Sequence, residues 1–254
     1  MMAGIYSPAI AQKEVRQIDN KAFSFGEKIT YKVRYNLYFN LNVGEIEFEI
    51  KPDAEEISKN KCYHISGIGK TYSFYDNFFK VRDKYEAFVE TQSLLPLVST
   101  REVKEGNYKF NEMVVYNQKK SKVKTSKHVK DVPKHTMDVI TAIYYSRTLN
   151  VADAKVGDKF MMHTFIDDSA YYVGVKYAGK EIIKTDAGKF RCIKLVPILI
   201  KDRVFKSEEG MTLWVTDDEN HLPVRVESGI SVGAIRADIV KYSGVKNAVS
   251  SKVK

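Results

Sequence analysis

Over most of this chain hydrophobic side chains recur at every second position, and that period admits few folds. Ile29, Tyr31, Val33 and Tyr35 alternate with Lys28, Thr30, Lys32 and Arg34. Residues 44–51 alternate again, Ile46, Phe48 and Ile50 against Glu45, Glu47 and Glu49. Successive side chains of a strand point to opposite faces, so each stretch reads as a strand with one buried and one solvated face. If the two strands pair antiparallel, Lys28, Lys32 and Arg34 face the three glutamates, each pair worth roughly a few tenths of a kcal/mol. Further strands are expected at 62–68, 81–89, 98–105, 108–116 and 119–127, and again at 159–166, 171–177, 180–185, 190–200, 211–215, 223–228 and 230–242. The 16 Tyr and 13 Phe fit this reading, because aromatic side chains suit a pleated, half-buried surface.

One stretch breaks the alternation. In 136–149, Val139, Ile140, Ile143, Tyr144 and Arg147 fall three and four apart, the spacing of one helix face. Thr136 is the expected N-cap, with Asp138 in the first turn and Arg147 in the last, where their charges suit the helix dipole. The chain thus divides into an arm at 1–22, a first β half at 23–127, a connecting segment at 128–157 that holds the helix, a second β half at 158–243 and a disordered tail at 244–254.

The two halves read as copies. Phe25-Gly26-Glu27-Lys28 resembles Val156-Gly157-Asp158-Lys159, and Val43-Gly44 matches Val173-Gly174. Lys61-Cys62-Tyr63 matches Arg191-Cys192-Ile193, and Leu95-Pro96-Leu97 matches Leu222-Pro223-Val224. The order is kept and the offset stays near constant. The expectation is an all-β protein built as two similar antiparallel curved sheets, or barrel-like halves, from an internal duplication, with one helix between them. Cys62 and Cys192 become equivalent positions and are expected as two buried free thiols.

The formal charge of +9 favours anionic surfaces such as lipid headgroups or acidic glycans. No apolar run is long enough to span a bilayer as a helix. Ala9-Ile10-Ala11 is a small-x-small site of the kind signal peptidase cuts, so export with cleavage after Ala11 is expected. No Cys follows that site, so a lipid anchor on an N-terminal Cys is not indicated.

Taken together, the segments 25–36, 138–147, 156–160, 187–195 and 213–226, with Gly44 and Leu95-Pro96, resemble a family of exported bacterial proteins catalogued only as a domain of unknown function. The resemblance runs from about residue 23 to 242. It implies an all-β architecture similar to envelope lipoproteins encoded beside capsule genes, and distantly to the open barrels that carry lipoproteins across the periplasm. It carries no catalytic residues.

The chemistry-bearing residues are sparse. His64, His128, His135, His163 and His221 pair neither with one another nor with Cys at metal-ligand spacing. Asp167-Asp168 and Asp217-Asp218-Glu219 fall between strands, where Asp favours turns. No nucleophile elbow, phosphate loop or dinucleotide fingerprint occurs. No catalytic residue, metal or cofactor is therefore nominated. Two surface features remain. Lys119, Lys120, Lys122, Lys124, Lys127, Lys130 and Lys134 crowd one stretch with Asp131 as its only acid. There Lys120, Lys122, Lys124 and Lys127 read either as a solvated edge strand that blocks aggregation or as a patch for an anionic partner. Tyr72, Phe74, Tyr75, Phe78 and Phe79 with Trp214, the only tryptophan, read either as core or as the lining of a ligand cleft.

The first functional reading is an exported, periplasmic, non-enzymatic protein that binds an apolar or glycan envelope component in a cleft between the halves, with envelope lipid, lipopolysaccharide, glycan or an envelope protein as partner. Nucleic acid is not expected. The alternative is a structural or interaction protein that uses a sheet edge or the basic strand. A hydrolytic enzyme stands third.

Overall fold

The computed structural model describes residues 15–36, 39–198, 210–230 and 232–254. The site 9–11 lies outside them. The strands are β1 (Lys28–Asn36), β2 (Asn40–Ile50), β3 (Glu55–Ile57), β4 (Asn60–Thr71), β5 (Arg82–Glu90), β6 (Pro96–Glu105), β7 (Tyr108–Asn117), β8 (Lys122–Lys124) and β9 (Val129–Asp131). After the helix α1 (Val139–Ser146) come β10 (Lys159–Ile166), β11 (Ser169–Thr185), β12 (Gly188–Ile198), β13 (Met211–Thr216), β14 (Pro223–Gly229), β15 (Ala234–Ser243) and β16 (Lys252–Val253). They form one antiparallel sheet in the order β10-β11-β12-β13-β14-β15-β1-β2-β4-β5-β6-β7-β8-β9, with β3 appended to β4 and β16 to β12. The protein is all-β with one helix, and the halves meet edge to edge where β1 pairs with β15.

The sheet does not close. Its two ends, β9 and β10, are held together by the chain between them and by charge. Met137 makes a single parallel bridge to β10, its N–H donating to the His163 carbonyl (2.9 Å) and its carbonyl accepting from Phe165 (2.8 Å). Asp167 and Asp168 form the β10–β11 turn with φ of 46° and 63°, the conformation that Asp tolerates in tight hairpins. From that turn Asp167 accepts from Arg101 of β6 (2.7 Å), and Asp168 accepts from Lys130 of β9 (2.7 Å).

Each of the four sequence matches has a shared structural cause. Gly26 and Gly157 enter β1 and β10 at φ of 81° and 102°, which L side chains resist. Gly44 and Gly174 sit where neighbouring strands crowd: a Cβ would lie 2.4 Å from the Lys70 carbonyl oxygen and 2.2 Å from that of Phe160. Cys62 and Cys192 are free and fully buried, each thiol directed at the carbonyl two residues earlier. Burial pushes their pKa values up to about 11 and about 12. The Leu95 and Leu222 carbonyls accept from Glu90 and Thr216 (2.9 and 2.8 Å) in the same tight corner. A fifth correspondence escaped the alignment. His64 stacks on Phe88 (4.4 Å) and meets Glu55 (2.6 Å), while Lys194 lies over Trp214 (5.7 Å) and meets Glu181 (2.8 Å). Glu55 faces Cys62 as Glu181 faces Cys192.

The predicted charge ladder forms only in part. Lys28 pairs with Glu47 (2.7 Å), but Glu45 turns to Lys70 on the next strand (2.9 Å). Lys32 and Arg34 turn instead to Asp186 (2.7 and 3.1 Å), because the β11–β12 hairpin folds over them.

The helix is shorter than 136–149 and is capped differently. Asp138, not Thr136, is the N-cap, its carboxylate accepting from the Thr141 N–H (3.0 Å). The Thr136 hydroxyl donates to the Pro133 carbonyl (2.7 Å). Eight residues are too few to hold a helix alone. Packing holds it: Ile140 and Tyr144 join Phe23, Ile50, Tyr63 and Ile65 in the core, with Phe23 edge-on to Tyr144 at 5.1 Å.

At the helix C-terminus Arg147 is 2% exposed and Glu27 is 0% exposed. Two guanidinium nitrogens donate to the two carboxylate oxygens (2.5 and 2.8 Å), and others to the Asn220 and Ala22 carbonyls (3.1 and 3.2 Å). Burial works against the charge of Arg147; the facing carboxylate outweighs it and raises the pKa. The arm and the tail, expected loose and disordered, are ordered in the described residues. Arg16 donates to the Ser93 carbonyl (2.9 Å), and Ala22 is buried. At the other end Asn247 donates to Asn220 Oδ1 (2.9 Å), Arg191 N–H to the Ser251 carbonyl (2.9 Å), and β16 extends the sheet.

Replacing Arg147 by Met strands the Glu27 carboxylate in the core and is expected to lower the unfolding free energy by about 3–5 kcal/mol in urea titrations. Asp138 supplies a pH signature. Burial, against hydrogen bonds from Thr141, raises its pKa from 3.8 to about 6. The folded state then holds this proton more tightly than the unfolded chain. The charged form costs up to about 3 kcal/mol near neutrality, and that cost fades as pH falls through about 6. In urea unfolding, Asp138→Asn should gain on the wild type at about pH 7.5, keep roughly half of that advantage at about pH 5 and lose it only below about pH 4.

Candidate functional site

All strand pairs are antiparallel, so Phe39 and the connecting residues 72–81, 106–107, 125–128, 167–168, 230 and 232–233 gather at one end of the sheet. Several carry a large apolar side chain at the tip. Phe74 is 72% and Phe78 80% exposed on the β4–β5 connection, with Phe79 beside them. Phe39 before β2, Tyr108 after the 106–107 turn and Val232 before β15 are exposed as well. The connections touch. The Lys80 carbonyl accepts from Gly106 N–H (2.8 Å), the Val43 carbonyl from Tyr72 N–H (3.0 Å), and the Val232 carbonyl from the Tyr35 hydroxyl (3.0 Å). Asp76 fixes the base of the Phe loop, accepting from Thr71 (2.7 Å) and Arg82 (2.6 Å); these partners hold its pKa below the usual range. The loop is therefore anchored at its foot while its phenyl rings stand in solvent. Lys80, Lys104, Lys109 and Lys127 are exposed on or beside the same connections.

The aromatic candidates are thus not gathered in a cleft. Phe74, Phe78 and Phe79 are outside, Tyr72 and Tyr75 are half-buried at the base of their loop, and Trp214 is 8% exposed in another core cluster, its indole N–H donating to Glu181 (3.0 Å). The basic candidates are separated too. Lys122 and Lys124 share a face of β8, and Lys122 is paired with Asp131 (2.8 Å). Lys127 lies at the apolar end of the sheet, whereas Lys120 lies at the opposite end, in the β7–β8 turn.

The interior is filled by α1 and the aromatic core. One cavity of about 30 Å³ is lined by Ser99, Arg101, Glu112, Tyr116, Asp138 and Ile140. A second of about 160 Å³ lies between Val15, Leu95, Gln118, Lys119, Lys134 and His135. Both fall below the roughly 300–1,000 Å³ of small-molecule sites. In the smaller one, burial raises the pKa of Glu112 and of Tyr116. No group of three or more His, Cys, Asp or Glu is placed to hold a metal ion among the described residues.

The family described as Protein of unknown function (DUF3108) matches residues 30–240. The chain belongs to that family. No curated protein matches this DUF3108 chain by sequence. Its fold is similar to the crystal structure of a beta-barrel-like protein of another domain of unknown function, DUF1849, from Brucella abortus, with 10% identity over 87% of this chain and 99% of that one and a TM-score of 0.56. Weaker likenesses are to a candidate lipoprotein from Parabacteroides distasonis (11% identity, 87% and 97% coverage, TM-score 0.37) and a candidate exported protein from Bacteroides fragilis (11%, 87% and 97%, 0.33). No helix among the described residues of the DUF3108 chain is long and apolar enough to cross a membrane.

Sequence reasoning found the Phe loop but assigned it to the inside. Phe39, Tyr108 and Val232 were missed, because a single apolar residue in a turn carries no periodic signal. With its indole in the core, Trp214 should be quenched only weakly by acrylamide in the folded protein and strongly after urea unfolding. Strong quenching of the native state would place the indole at the surface.

Proposed function

We propose that this is an exported, non-enzymatic protein of the cell envelope that works by surface contact, docking the apolar end of its sheet onto an anionic lipid membrane. The observation that supports this reading is the set of exposed phenyl rings, Phe39, Phe74, Phe78 and Phe79, on neighbouring connections at one end. Exposed apolar residues scattered singly are ordinary; a group rimmed by polar residues marks an interaction surface. Phenyl rings on anchored loops can enter the headgroup boundary at little ordering cost, and affinity then grows with the apolar area buried plus attraction to anionic lipid. Lys80, Lys104, Lys109 and Lys127, with the overall charge of +9, supply that attraction, at about 1 kcal/mol for each cation near the surface. A carrier that encloses its ligand in a cleft is less well supported, because the two cavities described above, among the described residues, hold only about 30 and 160 Å³. Export rests on Ala9-Ile10-Ala11.

Co-sedimentation with vesicles tests the docking. The full chain should pellet with vesicles containing phosphatidylglycerol, less with pure phosphatidylcholine, and less at high salt. Phe74→Ser with Phe78→Ser should weaken the partition by about tenfold or more without changing the unfolding midpoint. Wild-type protein that stays in the supernatant with every vesicle would refute membrane docking. N-terminal sequencing of protein from the native host tests export separately: an intact Met1 would refute it.

A further inference from the structure

Several ion pairs in this protein match one cation to one carboxylate, as Lys28 with Glu47, Lys70 with Glu45, Arg82 with Asp76, Lys180 with Asp217 and Arg147 with Glu27. Others share a partner, as Arg101 between Glu112 and Asp167 and Asp168 between His128 and Lys130. The largest shared cluster among the described residues gathers arginines. Asp238 on β15 is 2% exposed and meets three arginines. Arg34 of β1 donates to it, Arg225 of β14 meets it at 2.5 Å, and Arg236 of β15 lies with Nε at 3.1 Å. Lys32 and Arg34 also reach Asp186 at the tip of the β11–β12 hairpin (2.7 and 3.1 Å), and the Lys184 carbonyl of that hairpin accepts from Arg225 (3.0 Å). Four cations thus contact Asp186 and Asp238, with Glu227 of β14 opposite Arg236 as a third carboxylate on this face, and the three arginine side chains are only 13%, 17% and 23% exposed.

Two details make this crowd costly. Arg34 and Arg236 are direct cross-strand partners, and like charges directly opposite one another destabilise a sheet. Arg236 Nε, though close to Asp238, is buried without a hydrogen bond. A buried Nε–H without an acceptor is unfavourable in the folded protein alone.

We propose that this cluster is a binding site for a phosphate-type oxyanion, held in the mouth between the β11–β12 hairpin and strands β1, β14 and β15. Guanidiniums present paired donors that match the oxygens of phosphate, and an anion would answer the excess of cations that remains even with Glu227 opposite Arg236. Asp238 then serves to set the forks of Arg34 and Arg225, and Arg236, whose side chain is 23% exposed, offers the anion its outer guanidinium nitrogens. The site is independent of the apolar end and does not require membrane docking. Its anion can be free, or be the phosphate of a lipid headgroup.

Isothermal titration of the full chain at constant ionic strength tests it, with inorganic pyrophosphate in one arm and glycerol 1-phosphate in the other, each against chloride and sulfate controls. Saturable one-to-one binding preferring pyrophosphate indicates a free anion; preference for glycerol 1-phosphate indicates a headgroup. Arg236→Gln, and in a second variant the more exposed Lys32→Gln, should weaken the preferred ligand, the arginine variant by about tenfold or more. Arg236→Gln should leave the unfolding midpoint unchanged or raised, because it removes a like-charge contact; a purely structural cluster predicts a fall. No saturable binding of either probe to the wild type, or undiminished binding by Arg236→Gln, overturns the proposal.

Discussion

The buried pair of Arg147 and Glu27 joins more of this chain than any other contact described. Arg147 ends the helix, and Glu27 leads into β1. The remaining guanidinium donors reach the Ala22 carbonyl of the arm and the Asn220 carbonyl of the β13–β14 turn. His221 Nδ1–H donates to the Arg147 carbonyl (2.7 Å), so the turn returns the contact. The Arg147 guanidinium also lies over the rings of Phe23 (5.4 Å) and Tyr144 (5.2 Å). Two charges taken out of water are tolerable only when geometry and secondary hydrogen bonds compensate desolvation. Here the partners come from three distant parts of the sequence, the segment 22–27, the helix itself and the turn at 220–221. The pair therefore rewards the assembled structure and no fragment of it.

That arrangement explains why a short helix suffices to organise a long sheet. α1 is unstable alone, yet its C-terminal charge is locked to the strand that begins the first half and to a turn of the second. The Asn220 side chain carries the connection onward to Asn247, so the C-terminal segment closes over the second half as a consequence of the same corner. Across the molecule, Met137 and the acidic turn at 167–168 do the corresponding work where the sheet ends face each other. A sheet left open along one line can be held barrel-like by a few side-chain contacts, because its coil already brings the edges close.

The repeat shows how one plan yields two different surfaces. The corner before Pro96 and Pro223, the crowded glycines and the buried thiols are kept because they answer backbone demands common to both copies. What the copies add is not shared. The β4–β5 connection in the first half carries the exposed phenyl rings, and the polar face of the second half collects the arginines around Asp238. Glu55-His64-Phe88 and Glu181-Lys194-Trp214 lie between these extremes: an acid, a base and a ring are retained while the residue types change. Such a correspondence is invisible to alignment, since only the paired positions reveal that Glu55 and Glu181 stand opposite equivalent cysteines.

Period-two alternation determined the strands, because the two faces of a strand must differ when one is buried, and the repeated glycine, cysteine and Leu-Pro positions determined that two halves share one plan. The turn role of Asp167-Asp168 was legible for the same local reason. Tertiary structure decided what local sequence does not encode. Thr136 and Asp138 are both competent caps, and packing of the segment 133–137 against β10 chose Asp138. Arg147 in the last turn of the helix reads as a charge that suits the dipole; only the fold brings Glu27, 120 residues away, to meet it. The Phe74–Phe79 segment has a core composition, yet the core was already filled by Phe23, Phe48, Tyr63 and Tyr144, so its rings face water. Lys32 and Arg34 were read as partners of the adjacent strand, but the folded-over β11–β12 hairpin brought Asp186 within reach and β14–β15 brought Asp238. Alternation reports which side of a strand is polar; only the coil of the whole sheet sets which distant charges share that side.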